Sequence, residues 1–174
     1  FATVRYRVMD KAEKVDQPFG EIVMRTVTDK MIASSIQVIS SEVIEHQKSI
    51  EEEDILVVAG RGVKTERDVH MCRALAEALG GQLAFTRPMV ENGFGDQAHQ
   101  IGLSGRTVRP KLIITLGVSG AIQFTACMNQ AECIVAVNSD PEAPIFGIAH
   151  YCINDDLNEV VPALLNCLKN RKEG

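Results

Sequence analysis

None of the five cysteines sits in a CxxC pair, and the four histidines show no metal-ligand spacing with them or with one another. A structural metal centre is therefore not expected. Cys72, Cys127, Cys133, Cys152 and Cys167 fall mostly within apolar periodic segments, which fits small buried side chains in a reducing compartment. No apolar run approaches the roughly 18 residues of a membrane-spanning helix, so membrane insertion is not expected. Basic clusters are missing as well: the formal charge is -5, Lys14, Lys30 and Lys64 are scattered, and only the end from Lys169 to Lys172 is locally basic. Nucleic acid is thus an unsuitable partner, because its recognition needs grouped Lys and Arg. A nucleophile–base pair is also lacking. Ser119 in Gly-Val-Ser-Gly-Ala misses the nucleophile-elbow spacing, since position 121 is Ala. No catalytic residue is assigned.

What is present is 174 residues of 45% hydrophobic and 24% charged composition, that of a globular protein with one full domain plus part of another. Residues 1–44 carry strand-like patterns: Val4, Tyr6 and Val8 alternate with Arg5 and Arg7, Ile22 to Val27 reads as a second strand, and Ser35 to Ile44 as a third. No amphipathic helix lies among them to cover such strands, which are marginal alone. Either they pack on the domain that follows or, the reading favoured here, they are the end of a preceding domain. Left unpaired, the strands would associate edge to edge and give a homodimer.

Residues 45–54 are charged and read as a linker, with the principal domain at 55–174. Ile55 to Val58, Gln82 to Phe85, Leu112 to Leu116 and Cys133 to Val137 are continuous apolar strands; a fifth is either Phe146 to Ile148 or Tyr151 to Ile153. Thr65 caps a helix in which Val69, Cys72, Leu75, Ala76 and Leu79 recur at three- and four-residue spacing, ended by Gly80-Gly81. Ala121 to Met128 is a short helix, and a last one opens at Asp155 or Asp156, with Pro162 inside it as a kink or limit. Alternating buried strands and helices predict an α/β fold: a parallel, doubly wound sheet of about five strands.

Polar motifs recur where these apolar runs end, which is where open parallel sheets bind ligands. They suggest one elongated ligand threaded along the sheet edge. Gly60-Arg61-Gly62 is either a tight strand-to-helix turn or a close approach to phosphate with Arg61 as partner. It departs from the dinucleotide fingerprint: the third glycine is replaced by Thr65, and Thr86-Arg87 stands where a ribose-binding acid belongs. Gly117-Val-Ser-Gly120 feeds a helix and offers backbone N–H groups to an anion, with Gln123 and Phe124 in the first turn beyond. Arg87 ends a strand, and Pro88 predicts an extended exit. Ser104 offers a hydroxyl that donates or accepts, and Asn138 is either a ligand contact for a nucleoside or a turn residue before Asp140-Pro141.

Together, Ala59-Gly-Arg-Gly62, Thr86-Arg87, Gln100-Ile-Gly-Leu-Ser-Gly-Arg-Thr-Val-Arg-Pro-Lys-Leu112, Gly117-Val-Ser-Gly-Ala-Ile-Gln123, Ala136-Val-Asn-Ser-Asp-Pro-Glu-Ala-Pro-Ile-Phe146 and Asp156-Leu157 resemble the flavin-binding domain of the electron-transfer flavoprotein alpha subunit. The resemblance runs from about Ile55 to Leu168, and Phe1 to Arg5 is similar to the closing strand of that family's first domain. It implies FAD in an extended pose. Arg87, with Thr86 beside it, would lie over the isoalloxazine ring, and Ser104 would bond near N5. Gln100, Ile101, Gly102, Leu103 and Ser104, with Ser119, Gly120, Ala121, Ile122, Gln123 and Phe124, would line the ring and ribityl chain. Arg61, Asn138, Asp156 and Leu157 would serve the pyrophosphate and adenosine.

Such a site tunes a cofactor's potential by charge and hydrogen bonds. Where many members carry histidine after Ala-Ile-Gln, this chain has Phe124, which cannot donate to flavin O2, so negative charge on the reduced ring is supported less. Leu103 similarly replaces a commonly seen glutamine. The implied role is an electron carrier rather than an enzyme, working with a beta subunit, acyl-CoA or hydroxy-acid dehydrogenases and a quinone-linked oxidoreductase. The compartment would be the bacterial cytoplasm, or the mitochondrial matrix in a eukaryote. The motif wording is most similar to alpha subunits of anaerobic bacteria, some of which take part in electron bifurcation. Two other readings are an NAD-binding enzyme domain of similar fold and a flavin-free interaction module.

Overall fold

The computed structural model describes residues 13–17, 20–36, 38–41 and 49–172. Of the strands expected near the start, Val4 to Val8 lies outside the described residues. Ile22 to Val27 forms no strand: the stretch is irregular, and Ile22, Val23, Met24 and Val27 are exposed. The described part of Ser35 to Ile44 is equally irregular. Among the described residues before Ser49, the regular element is the single-turn helix α1 (Asp29–Ile32). β-propensity alone was a poor guide at these positions, because a strand is stabilised by neighbours it packs against.

Residues 49–172 hold a six-stranded sheet of order β3-β2-β1-β4-β5-β6 in which every pairing is parallel. Its strands are β1 (Ile55–Ala59), β2 (Gln82–Thr86), β3 (Gln100–Ile101), β4 (Leu112–Leu116), β5 (Cys133–Val137) and β6 (Tyr151–Ile153). The parallel α/β expectation holds, with one strand more than anticipated. At two residues β3 is too short to carry a periodic signal, and only its pairing of Phe85 with Gln100 and Thr86 with Ile101 reveals it. Of the alternatives for the last strand, Tyr151–Ile153 is correct; Phe146 lies in a 3-10 turn, Pro144–Gly147.

Buried strands with apolar residues on both sides need two covers, and the sheet has them. On one face Val57, Ala59, Leu83, Phe85, Ile114 and Leu116 meet α2 (Glu66–Leu79) and α5 (Leu157–Lys172). The buried stripe of α2 is Val69, Cys72, Leu75 and Ala76, as the spacing predicts. Its start is a capping box, with Thr65 Oγ1 accepting from Asp68 N–H and Asp68 Oδ2 accepting from Thr65 N–H. Gly80 closes it in the left-handed region at φ 73°. The last helix, α5, runs through Pro162 as one continuous helix.

On the opposite face Leu56, Val58, Ile113, Ile134 and Ala136 pack with Ile50, Val108, Phe124, Met128 and Ile145. Ile50 is 1% exposed, within a 3-10 turn capped by Ser49. The second half of the expected linker thus belongs to the domain, because Ile50 is an apolar side chain with a core to enter. The helix read at Ala121 to Met128 is shorter, α4 (Ile122–Thr125), followed by turns.

The thiols sort by this burial. Burial, followed by the nearby Asp68 carboxylate, pushes the Cys72 thiol up to about 12, whereas Cys152 and Cys167 are exposed. At mild alkaline pH we expect a thiol reagent to modify Cys152 and Cys167 rapidly and Cys72 only on unfolding; equally fast labelling of Cys72 would contradict its place in the core. The unfolded state loses the Cys72 proton near pH 9 and the folded state near 12, so this group's contribution to stability falls as pH rises through that window.

Candidate functional site

The strand order reverses at β1 and β4, whose connections leave in opposite directions, and a crevice opens there at the carboxyl ends. Its floor is set by two glycines. A Cβ on Gly62 would stand 2.7 Å from Gly117 Cα, and one on Gly117 would stand 2.7 Å from Gly62 Cα. Gly117 also has φ 62°, and Gly62 N–H donates to the Gly117 carbonyl at 2.9 Å. The turns after β1 and β4 are therefore pressed backbone to backbone, with a cleft on either side.

The larger cleft, about 600 Å³, is lined by Arg61, Thr86, Arg87, Pro88, Ile101, Gly102, Leu103, Ser104, Val118, Ser119, Ala121, Gln123 and Phe124. The smaller, about 150 Å³, is bordered by Gly62, Lys64, Asp68, Gly117, Asn138 and Asp155 to Asn158 among others. Motifs spread over the sequence from position 61 to 157 thus meet along one edge of the sheet. The division differs from expectation in one respect. Arg61 lies with Arg87 in the larger cleft, not with Asn138, Asp156 and Leu157 in the smaller one.

Among the described residues, the lining of the larger cleft contains two guanidinium groups and no carboxylate, histidine, lysine or cysteine. Such a wall favours an anionic ligand with an apolar body and offers no general base. Ser104 Oγ accepts from Gln100 Nε2 at 2.9 Å, so its own hydroxyl proton is free to donate. Gln100, 4% exposed, stands behind Ser104 rather than in the cleft. The loop between them is closed by Arg106 N–H to the Gln100 carbonyl at 2.7 Å, and Leu103 N–H donates to the Gln123 carbonyl at 3.1 Å. This holds the two ring-side segments together.

Gly120, at φ 93°, lies against Ile145: a Cβ there would come 2.3 Å from its backbone nitrogen. Ile122 is turned outward and exposed. Neither lines the cleft. Phe124, by contrast, is 6% exposed and shared between the cleft wall and the core.

Arg87 does not leave its strand in an extended conformation. It opens the short helix α3 (Arg87–Glu91), with Thr86 as the N-cap residue and Pro88 in the first turn. Proline suits that turn, since its missing N–H has no intrahelical partner to lose. Sequence reading also overlooked Pro88 and Val118 in the wall, and Glu91, whose Oε1 accepts from Arg87 Nε at 2.7 Å. The i,i+4 spacing of Arg87 and Glu91 would have shown that pair had the helix been foreseen.

At the smaller cleft, Asn138 is mostly committed: Nδ2 donates to the Val118 carbonyl at 2.8 Å and Oδ1 accepts from Asp140 N–H at 3.0 Å. It braces the turn and retains one amide hydrogen for a ligand. Asp156 is exposed; the Asn158 backbone N–H, then its side-chain amide, hold its carboxyl below the usual range.

The family model described as the electron transfer flavoprotein FAD-binding domain matches residues 49–129. The lactate dehydrogenase (NAD(+),ferredoxin) subunit LctC of Acetobacterium woodii is 48% identical over 171 residues, covering 97% of this chain and 40% of that protein. The electron transfer flavoprotein subunit alpha of Thermoanaerobacterium thermosaccharolyticum is 38% identical over 173 residues, covering 98% and 52% respectively. Protein FixB of Rhizobium meliloti is 34% identical over 174 residues, covering 99% and 49%. The chain spans about half the length, or less, of these curated relatives. The nicotinamide-enzyme reading is not favoured by these matches, although one relative is named as a subunit of an NAD(+)-linked lactate dehydrogenase. A parallel sheet with a crevice at its switch point, a matching family model and relatives along nearly the whole length place this chain in the electron transfer flavoprotein alpha-subunit family.

Proposed function

We propose that the larger cleft holds the flavin ring of FAD, the smaller one its adenosine end, and that the protein carries electrons rather than making bonds on a substrate. The observation that carries this reading is the cleft wall itself: two arginines, the hydroxyls of Ser104 and Ser119, and apolar surface, with no titratable base among the described residues. FAD, when bound, supplies the redox chemistry, and the chain supplies its surroundings. Arg61 and Arg87 place positive charge where a diphosphate or a reduced ring carries negative charge. Ser104, oriented by Gln100, offers its hydroxyl proton to a ring nitrogen. Pro88, Leu103, Val118 and Phe124 present apolar surface to the ring and keep water from it. The Gly62–Gly117 contact keeps the floor low enough for an elongated cofactor to pass from one cleft to the other.

Partners follow from the same reading. A beta subunit completes the carrier, a dehydrogenase delivers electrons, and a further oxidoreductase receives them. The 48% identity to a subunit named for lactate, NAD(+) and ferredoxin favours a hydroxy-acid dehydrogenase over an acyl-CoA dehydrogenase as donor, and the bifurcating type over the simple shuttle.

Incubation with FAD followed by gel filtration tests the proposal. The protein peak is expected to be yellow, with absorbance bands in the near-ultraviolet and blue, and Arg87→Gln is expected to weaken retention about tenfold, a loss of roughly 1.4 kcal/mol. A colourless peak with the beta subunit present, or displacement of flavin by NAD, would overturn it.

A further inference from the structure

Glu91 lies outside the cleft wall, yet it is the group that holds Arg87. On a helix this pairing runs against the usual preference, with the cation at the N-terminal end and the anion at the C-terminal end. The side chains are 67% and 57% exposed, where such a pair contributes under about 1 kcal/mol. Stabilising α3 does not account for it. Its consequence is geometric. Glu91 engages Nε, the stem-side N–H of the guanidinium, and leaves the two Nη groups free; among the described residues no other group bonds to Arg87. Pro88 in the first turn and Met89, 1% exposed beneath the helix, fix the backbone between the two partners.

We infer that Glu91 is a positioning residue: it fixes the Arg87 guanidinium so that its Nη edge faces the ligand in the larger cleft. This rests on the reading of that cleft as the flavin site. It also makes Arg87 a fixed charge rather than a mobile one. A preoriented dipole or charge need not reorganise when negative charge develops, and so acts more strongly on it.

Two substitutions separate position from charge. Glu91→Gln removes the negative charge but keeps an oxygen that accepts from Arg87 Nε; Glu91→Ala removes both. On the flavin-loaded protein, the quantity to measure is the midpoint potential, which reports the affinity for reduced relative to oxidised flavin. That ratio is expected to be at least about threefold higher in Glu91→Gln than in Glu91→Ala, where a tenfold ratio corresponds to about 30 mV for a two-electron couple. In an Arg87→Gln background the two Glu91 variants are expected to have equal potentials. Equal potentials with Arg87 present, or a gap that persists without it, would overturn the positioning role while the wild-type protein stays yellow. A wild-type protein that takes up no FAD would overturn the flavin reading and this role with it.

Discussion

Gly117→Ala is expected to destabilise the protein by about 2–5 kcal/mol and to abolish high-affinity flavin binding. Two effects add. An alanine at φ 62° sits in the left-handed region, which costs about 1–2 kcal/mol for a residue with a Cβ. Its Cβ would also stand 2.7 Å from Gly62 Cα and 3.1 Å from the Gly62 nitrogen and carbonyl carbon. Those are backbone atoms that cannot swing aside, and overpacking of this kind costs about 1–3 kcal/mol. Relief requires the turns after β1 and β4 to part, which lifts the floor between the clefts. Urea denaturation measures the first effect and flavin titration the second. A variant within about 0.5 kcal/mol of the parent, with unchanged flavin affinity, would mean that the backbone contact is not what shapes the crevice.

Phe124→Ala is expected to cost about 3–5 kcal/mol, since it empties a large side chain from a closed core. At 6% exposure, Phe124 belongs to the same buried cluster as Ile101, Val118, Met128 and Ile145. The phenylalanine is therefore a packing element of the core, whatever its place beside a flavin. Phe124→His should divide these roles. The imidazole loses apolar contact and costs about 1–3 kcal/mol if its buried polar edge finds no partner in the flavin-free protein. Once flavin is bound, a ring N–H near O2 favours negative charge there, and the affinity for reduced over oxidised flavin should rise about tenfold, as a hydrogen bond to a charged group of about 1.5 kcal/mol allows. Thermal unfolding of flavin-free protein and the midpoint potential of the loaded one check the two halves separately. An unaltered potential would show that position 124 does not reach the ring.

The strands β1, β2, β4 and β5 were legible almost to the residue because each is buried on both faces, and an uninterrupted aliphatic run has few other uses. The amphipathic stripe of α2 and its Thr65 cap were legible for a related reason: the pattern and the cap are local in sequence. β3 was not, since two residues carry no period. α3 was missed because the residue before a proline ordinarily avoids helical geometry, while the first turn of a helix accepts the proline itself. The apolar residues of 22–27 read as a strand from composition, but strands depend on partners, and the described residues there supply none.

From the sequence by itself came the parallel α/β class, the helix boundaries set by local caps, and the motifs that end each strand. Those are properties of residues near one another along the chain, where steric and hydrogen-bonding preferences act directly. Tertiary structure alone decided that Arg61 shares a cleft with Arg87, that Asn138 spends its amide bracing a turn, that Phe124 belongs to the core, and that Glu91 holds the arginine at the mouth. Each depends on distances between segments far apart in sequence, or on a helix that only the packing around it stabilises, and no pattern along the chain encodes a distance through space.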